Sequence, residues 1–270
     1  MGKYNNGVKA MKTKAVILCG GLGTRLKEET EYRPKPMVQI GNRPILWHIM
    51  KIYASCGFSD FILCLGYKGE MIKDYFYNYE ILNNDFTIKF GAQKSITMHN
   101  DLGENNWSVT LVDTGKSSLK GARLKKIEKY IDSDVFMVTY GDGIGNVDLK
   151  KLLSFHLQHG RTGTVTGVRP PSLFGELVVE ENRATLFSEK PQTSAGLING
   201  GFFVFNKNLF NYLNEDDSCD FEKGPLEEMA AQGELMVYMH DGSWACMDTY
   251  RDVEYLNKLW ESEKAFWKTW

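Results

Sequence analysis

An unbroken apolar run, Ala15-Val16-Ile17-Leu18-Cys19, stops abruptly at Gly20-Gly21-Leu22-Gly23-Thr24-Arg25. Five apolar residues without polar alternation read as a strand covered on both faces, the habit of a central strand in a parallel sheet. Glycines directly behind it let the backbone turn sharply and bring N–H groups close to a ligand, with no Cβ in the way. Oxygens of a triphosphate suit such a nest. Arg25 adds a planar fork of donors that can grip phosphate at two points. Lys35 follows between Pro34 and Pro36, whose rings stiffen the segment that presents its ammonium.

Two commoner glycine loops are excluded. A dinucleotide fingerprint G-x-G-x-x-G needs glycine where Leu26 stands, and a P-loop starting at Gly20 needs glycine where Arg25 stands. Glycine-rich turns alone are widespread. The strand, GGLGTR and the following RPKPM together form a much more specific string.

Along the chain, residues 44–53 read as a helix with proline in its first turn, ended by Gly57. Residues 61–65 form a second buried strand closed by Gly66, and 70–79 a helix with aromatic side chains on one side. Residues 87–90 and 109–112 are strand candidates, with 91–106 an irregular excursion between them. A further buried strand, 135–140, runs into Gly141-Asp142-Gly143, and 149–159 is a helix. This alternation predicts an α/β fold with a doubly wound, mostly parallel, Rossmann-like sheet and ligands at the carboxyl ends of its strands. Both glycine loops fall at such ends, which argues for one shared site. Beyond residue 161 the pattern changes to short strands at 162–168, 176–180, 184–188 and 201–206. A helix at 224–232, a strand at 235–239 and an amphipathic helix at 251–269 follow, so this half is a smaller mixed-β part.

Composition narrows the function classes. With 270 residues, 43% hydrophobic and 24% charged, the chain matches an ordinary soluble enzyme. A net charge of -2 gives no general attraction to nucleic acid or acidic membranes, so any phosphate affinity is local. No apolar run approaches the roughly 20 residues that span a bilayer. The first residues lack the apolar core of a signal peptide, and 1–10 read as a disordered N-terminal extension. Cys19, Cys56, Cys64, Cys219 and Cys246 contain no C-x-x-C pair and are expected to be reduced thiols in the cytoplasm.

Several polar groups could carry chemistry. Asp142 sits on a glycine-flanked loop that leaves room for Mg²⁺, water and phosphate oxygens; it also fits a turn residue accepting backbone hydrogen bonds. Asp248, before the last helix, offers a second carboxylate or a helix cap. Mg²⁺ held by two carboxylates and substrate phosphates is a common arrangement. Glu189-Lys190-Pro191 and Asn199-Gly200-Gly201 supply carboxylate, ammonium and amide groups that suit a phosphorylated sugar, or else form polar surface turns. Thr114-Gly115 and residues 121–123 make another glycine-containing loop that could read a base and ribose. Lys116, Lys120, Arg123, Lys125, Lys126 and Lys129 read as a solvated helix face. His156 and His159 lack the Glu or Cys frame of a metal site, and the Ser117–Lys120 spacing imitates a serine–lysine dyad by chance.

The strand with GGLGTR and RPKPM resembles the signature of the sugar-1-phosphate nucleotidyltransferases. YKGEMIKDYF, LVDTG with GARL, YGDGIGNVDL, LINGGFFVFN, MDTYRD and the ending LWESEKAFWKTW are similar to the branch of that family that uses CTP and glucose 1-phosphate, over residues 13–270. The resemblance implies in-line attack of a sugar-phosphate oxygen on the α-phosphorus of CTP, assisted by Mg²⁺, with Arg25 and Lys35 catalytic. It implies nucleotide contacts at Leu18, Gly20, Gly21, Leu22, Gly23, Thr24, Thr114, Gly115, Ser118, Arg123 and Gly141. It implies sugar-phosphate contacts at Gly175, Glu189, Lys190, Asn199 and Gly200, and Mg²⁺ ligation by Asp142 and Asp248. Residues 11–160 would then be the nucleotide-binding core and 161–270 the sugar-phosphate and oligomerisation part of the same domain, in a homo-oligomer with no nucleic-acid or membrane partner.

Cys19, where alanine is common, and Glu176, where an apolar residue is usual, depart from the family pattern; Glu176 bears on the sugar's identity. The same chemistry with UTP, dTTP or another sugar remains a rival. So does a catalytically silent nucleotide-sugar sensor, although intact Arg25, Lys35, Asp142 and Asp248 argue against silence. Val253, Leu256 and Trp260, with Trp267 further on, form an apolar stripe that fits either packing on the parent domain or a subunit contact.

Overall fold

The computed structural model describes residues 13–100, 102–104, 106–170, 176–188 and 196–270. The opening run is β1 (Ala15–Cys19), buried at every residue. Its side chains alternate between two cores: Ala15, Ile17 and Cys19 enter one, Val16 and Leu18 the other. That is why the run is apolar without alternation, and burying each of its large aliphatic side chains stabilises the fold by about 1.5–3 kcal/mol.

Six further strands join it: β2 (Asp60–Leu65), β3 (Ser108–Asp113), β4 (Val135–Tyr140), β5 (Gly163–Val168), β6 (Ile198–Asn206) and β7 (Leu235–His240). They form one sheet in the order β7-β5-β6-β4-β1-β2-β3, with strands from both halves of the chain. β1 pairs in parallel with β2 and β4, and β2 with β3. β6 runs antiparallel to both its neighbours, β4 and β5. Its first residues therefore lie beside the carboxyl ends of the parallel strands. On one face pack α1 (Ile45–Ser55), α2 (Gly69–Tyr77), α4 (Leu149–His159) and α6 (Tyr250–Glu261). α3 (Lys120–Lys126) and α5 (Glu227–Ala231) pack on the other. The doubly wound, mostly parallel sheet expected from the sequence is present.

Several boundaries differ from expectation. The 91–106 excursion contains a strand, Ser95–Met98, that pairs antiparallel with Phe86–Lys89 as a hairpin. Pro44 caps α1 from outside its first turn. The 70–79 helix breaks at Asn78 and restarts as Tyr79–Asn83. In 224–232 only α5 is regular, because Gly224 (φ 102°) opens a wide turn before it.

The helix expected to reach residue 269 stops at Glu261. Glu263 takes a left-handed φ of 59°. The Lys264 N–H bonds the Leu259 carbonyl at 2.8 Å, and the Glu263 N–H bonds that of Trp260 at 3.1 Å. This is a Schellman stop without its usual glycine, so composition did not betray it. The chain doubles back and buries Trp267 completely. The Trp267 indole N–H donates to His48 Nδ1 at 3.3 Å, and His48 Nε2 faces the Ile40 carbonyl at 3.0 Å. The apolar stripe is used within the chain: Val253 and Leu256 are buried, and Trp260 packs against the same core.

Candidate active site

The carboxyl ends of β1 and β4 carry the two glycine loops side by side, and the Gly141 N–H bonds the Leu18 carbonyl at 3.1 Å. A one-turn helix, Lys35–Met37, follows Pro34 and points Lys35 into the space between the loops. The Lys35 ammonium donates to Asp142 Oδ2 at 2.7 Å and to Asp248 Oδ1 at 2.6 Å. Arg25 reaches the other oxygen of Asp248 at 3.0 Å. Burial acts to lower the pKa of Lys35, but Asp142 and Asp248 outweigh it and hold the ammonium above its ordinary range. Two anions and two cations from three distant segments thus form one cluster at the mouth of the glycine-rich loop.

Asp142, Cys246 and Asp248 each present a ligand atom within 4.8 Å of the other two. Burial, reinforced by the two carboxylates, pushes the Cys246 thiol up, so it stays protonated. The oxygens of Asp142 and Asp248 are the hard donors of this group. Their separation and partial exposure fit a divalent cation. Asp248 does not cap α6; that role belongs to Thr249, which with Asp252 forms a capping box.

Arg123 corrects the reading of a solvated basic face. Its side chain is buried. Its guanidinium donates to the carbonyls of Leu65 at 2.9 Å, Gly115 at 2.7 Å and Gly20 at 3.0 Å, and to Thr114 Oγ1 at 2.8 Å. It ties together the carboxyl ends of β1, β2 and β3. A Cβ on Gly20 would lie 2.2 Å from the Arg123 guanidinium carbon, so the buried arginine leaves no room for a side chain at this position.

A cleft of about 510 Å³ runs past these groups, within the range of small-ligand sites. Of the residues the sequence pointed to, Leu18, Gly20, Gly21, Gly23, Thr24, Arg25 and Lys35 line it, as do Ser118, Arg123, Gly141, Asp142, Asn199 and Asp248. Leu22 points outward, 54% exposed. Thr114 is buried, its hydroxyl donating to the Leu65 carbonyl at 2.7 Å. The Gly115 and Gly200 carbonyls are taken by Arg123 and Trp244. Gly175, Glu189 and Lys190 lie outside the described residues.

Lys120, Tyr140, Trp244 and Cys246 also line the cleft, although no motif singled them out as site residues. A larger groove of about 910 Å³ beside α2 holds none of the clustered charges. His156 is a core residue, bonded to Thr164 Oγ1 at 2.9 Å and to Asn206 Oδ1 at 3.1 Å. Ser117 donates to Asp217 and Lys120 pairs with Glu222, so they form no dyad. All five cysteines are free thiols, and among the described residues no helix is long and apolar enough to cross a membrane.

The family model described as nucleotidyl transferase matches residues 14–267. The glucose-1-phosphate cytidylyltransferase of Salmonella typhi is 49% identical over 258 residues, 95% of this chain and 99% of that protein. A Bacillus subtilis protein named "Probable glucose-1-phosphate cytidylyltransferase" is 46% identical over 95% of this chain and 100% of its own length. The crystal structure of HddC from Yersinia pseudotuberculosis superposes with a TM-score of 0.66 at 25% identity, covering 92% of this chain and 99% of that one. With the family model spanning nearly the whole chain and full-length relatives at almost half identity, the chain belongs to the nucleotidyl transferase family.

Proposed function

We infer that the protein transfers a cytidylyl group from CTP to α-D-glucose 1-phosphate, giving CDP-glucose and pyrophosphate. The observation that carries the chemistry is the Lys35–Asp142–Asp248–Arg25 cluster at the mouth of the glycine-rich loop. The choice of base and sugar rests on the near-full-length identity to proteins named for that reaction.

A phosphate oxygen of the sugar phosphate forms a bond to the α-phosphorus of CTP. The bridge from that phosphorus to the β-phosphate oxygen breaks, and its electron pair leaves with pyrophosphate. The attacking phosphate is already anionic at neutral pH, so no general base and no protein nucleophile are required. What the protein must supply is alignment and neutralisation of charge. Gly20, Gly21 and Gly23 line the cleft, where their backbone N–H groups would serve as donors for the triphosphate. Arg25, 74% exposed, is free to swing from Asp248 to phosphate oxygens. Lys35, 12% exposed, carries its charge to the reacting phosphates from a stiff segment. Members of this family generally use a divalent metal. Here Mg²⁺ held by Asp142 and Asp248 would supply further neutralisation of the phosphates, and the oxygen pair described above suits it. Asn199, at the start of β6, also lines the cleft and would contact the sugar phosphate.

The test is a panel of CTP, UTP, dTTP, ATP and GTP against several sugar 1-phosphates, scored by pyrophosphate release with Mg²⁺. CTP with glucose 1-phosphate should exceed other pairs by orders of magnitude, since a site built for cytosine's amino donor leaves an unpaired group with uracil or thymine. Preference for UTP or dTTP would refute the cytidylyl assignment. Absence of pyrophosphate with every pair would favour a silent nucleotide-sugar sensor.

A further inference from the structure

The sugar end of the cleft is built by side chains outside the loop motifs. The Asn199 carboxamide is committed at both ends. Its Oδ1 accepts from the Gly201 N–H at 2.8 Å, and its Nδ2 donates one hydrogen to the Tyr140 hydroxyl at 3.0 Å. Asn199 lines the cleft, where its second Nδ2 hydrogen would be offered to a ligand. The Tyr140 hydroxyl in turn donates to Glu222 Oε1 at 2.6 Å, and the Lys120 ammonium pairs with the same oxygen.

The turn is gripped from its other side by Trp244, whose indole N–H donates to the Gly200 carbonyl at 2.7 Å. Gly201 has a φ of 77°, and a Cβ there would lie 2.7 Å from Tyr140 Cδ2. The second glycine of the N-G-G turn is therefore what lets the tyrosine ring close on it. Tyr140 is the last residue of β4, two before Asp142, and Trp244 opens the short strand Trp244–Cys246 that leads to Asp248. Each carboxylate of the Lys35 cluster thus comes from a segment that also holds the Asn199-Gly200-Gly201 turn.

We propose that Tyr140 and Trp244 are positioning residues that hold Asn199 in register with the reacting phosphates, so that the sugar phosphate is presented to the α-phosphorus in line. The proposal rests on the reading of this cleft as a sugar-1-phosphate site. Its physical basis is that a carboxamide free to rotate can present either its N–H or its C=O to a hydroxyl, whereas this one is locked with an N–H forward. Displacement of a reacting group by about 1 Å is enough to cost ~10²-fold in rate.

Tyr140→Phe removes the hydroxyl and keeps the ring. It should raise KM for glucose 1-phosphate by about tenfold, the equivalent of one hydrogen bond, while KM for CTP changes by less than about twofold. Trp244→Phe should act in the same direction. In an Asn199→Ala background Tyr140→Phe should add nothing, because the hydroxyl acts through the carboxamide. Glu222→Gln keeps an acceptor for that hydroxyl and should retain most of the sugar-phosphate affinity that Glu222→Ala loses. Calorimetric CTP binding reports on folding and on the nucleotide side of each variant. Equal weakening of CTP and sugar phosphate by Tyr140→Phe, or fully multiplicative losses in the Tyr140–Asn199 pair, would overturn the proposal. A wild-type preference for a different substrate pair would instead refute the proposed substrates, and the same comparison would then be made with the preferred pair.

Discussion

Lys35→Ala separates the charge-neutralising role of Lys35 from a merely structural one, because it should have opposite effects on turnover and on metal binding. In the resting site the Lys35 ammonium lies 2.7 Å and 2.6 Å from the two carboxylates that would hold a divalent cation. Removing it leaves two carboxylates whose ligand oxygens are within 4.8 Å of each other, each side chain 25% exposed. At an effective dielectric of about 20 such a pair repels by about 3 kcal/mol, and screening at this exposure brings the effect to about 2 kcal/mol. Without metal the variant should melt roughly 5 °C lower than the wild type. A divalent cation relieves the repulsion, so millimolar Mg²⁺ should restore more stability to Lys35→Ala than it adds to the wild type. The same variant should lose at least ~10²-fold in kcat/KM, since a charge is missing from the reacting phosphates. The assays are thermal unfolding with and without Mg²⁺ and pyrophosphate release. A near-normal kcat/KM, or a melting temperature that responds to Mg²⁺ no more than the wild type's, would refute the reasoning.

Asp142→Asn and Asp248→Asn should each nearly abolish turnover, yet the double variant should be little worse than either, because both act through one ion; losses that multiply would exclude a shared metal. His48 gives a pH prediction. Burial, the leading cause, holds it down to about 4, and both ring nitrogens are already engaged with Trp267 and Ile40. Above pH 6.5 the histidine is neutral in the folded and unfolded chain, and its stabilising contribution is complete. As pH falls from about 6.5 towards 4 the unfolded chain takes up a proton that the folded one refuses, so stability declines by up to about 3 kcal/mol. Urea unfolding at pH 7 and pH 5 should show the loss, and an NMR titration placing native His48 near 6.5 would disprove it.

Where the code is local, the sequence alone carried most of the answer. Apolar runs with no alternation located β1 and β4, because only a doubly covered strand needs apolar residues on both faces. The helix read at 149–159 matches α4, which the structure shows capped by Asp148 and closed by Gly160. GGLGTR and RPKPM pointed to Arg25 and Lys35 through their own geometry. What decided the remainder were contacts whose partners lie far apart in the chain and meet only through strand order and register. Arg123 is buried against a carbonyl 103 residues away. Nothing in a basic run tells a lysine in solvent from an arginine that ties three strand ends together. Asn199 meets Tyr140 across 59 residues, and Trp244 meets Gly200 across 44, only because β6 enters the sheet antiparallel beside β4. The end of α6 was hidden for a related reason: a glutamate adopts the left-handed turn that glycine usually announces, and the energy that holds it there comes from burying Trp267 against α1 and His48. Local sequence selects strands, turns and motif residues because their preferences are short-ranged; the tertiary fold selects which of them meet, because burial and hydrogen bonding are settled only when distant segments come into contact.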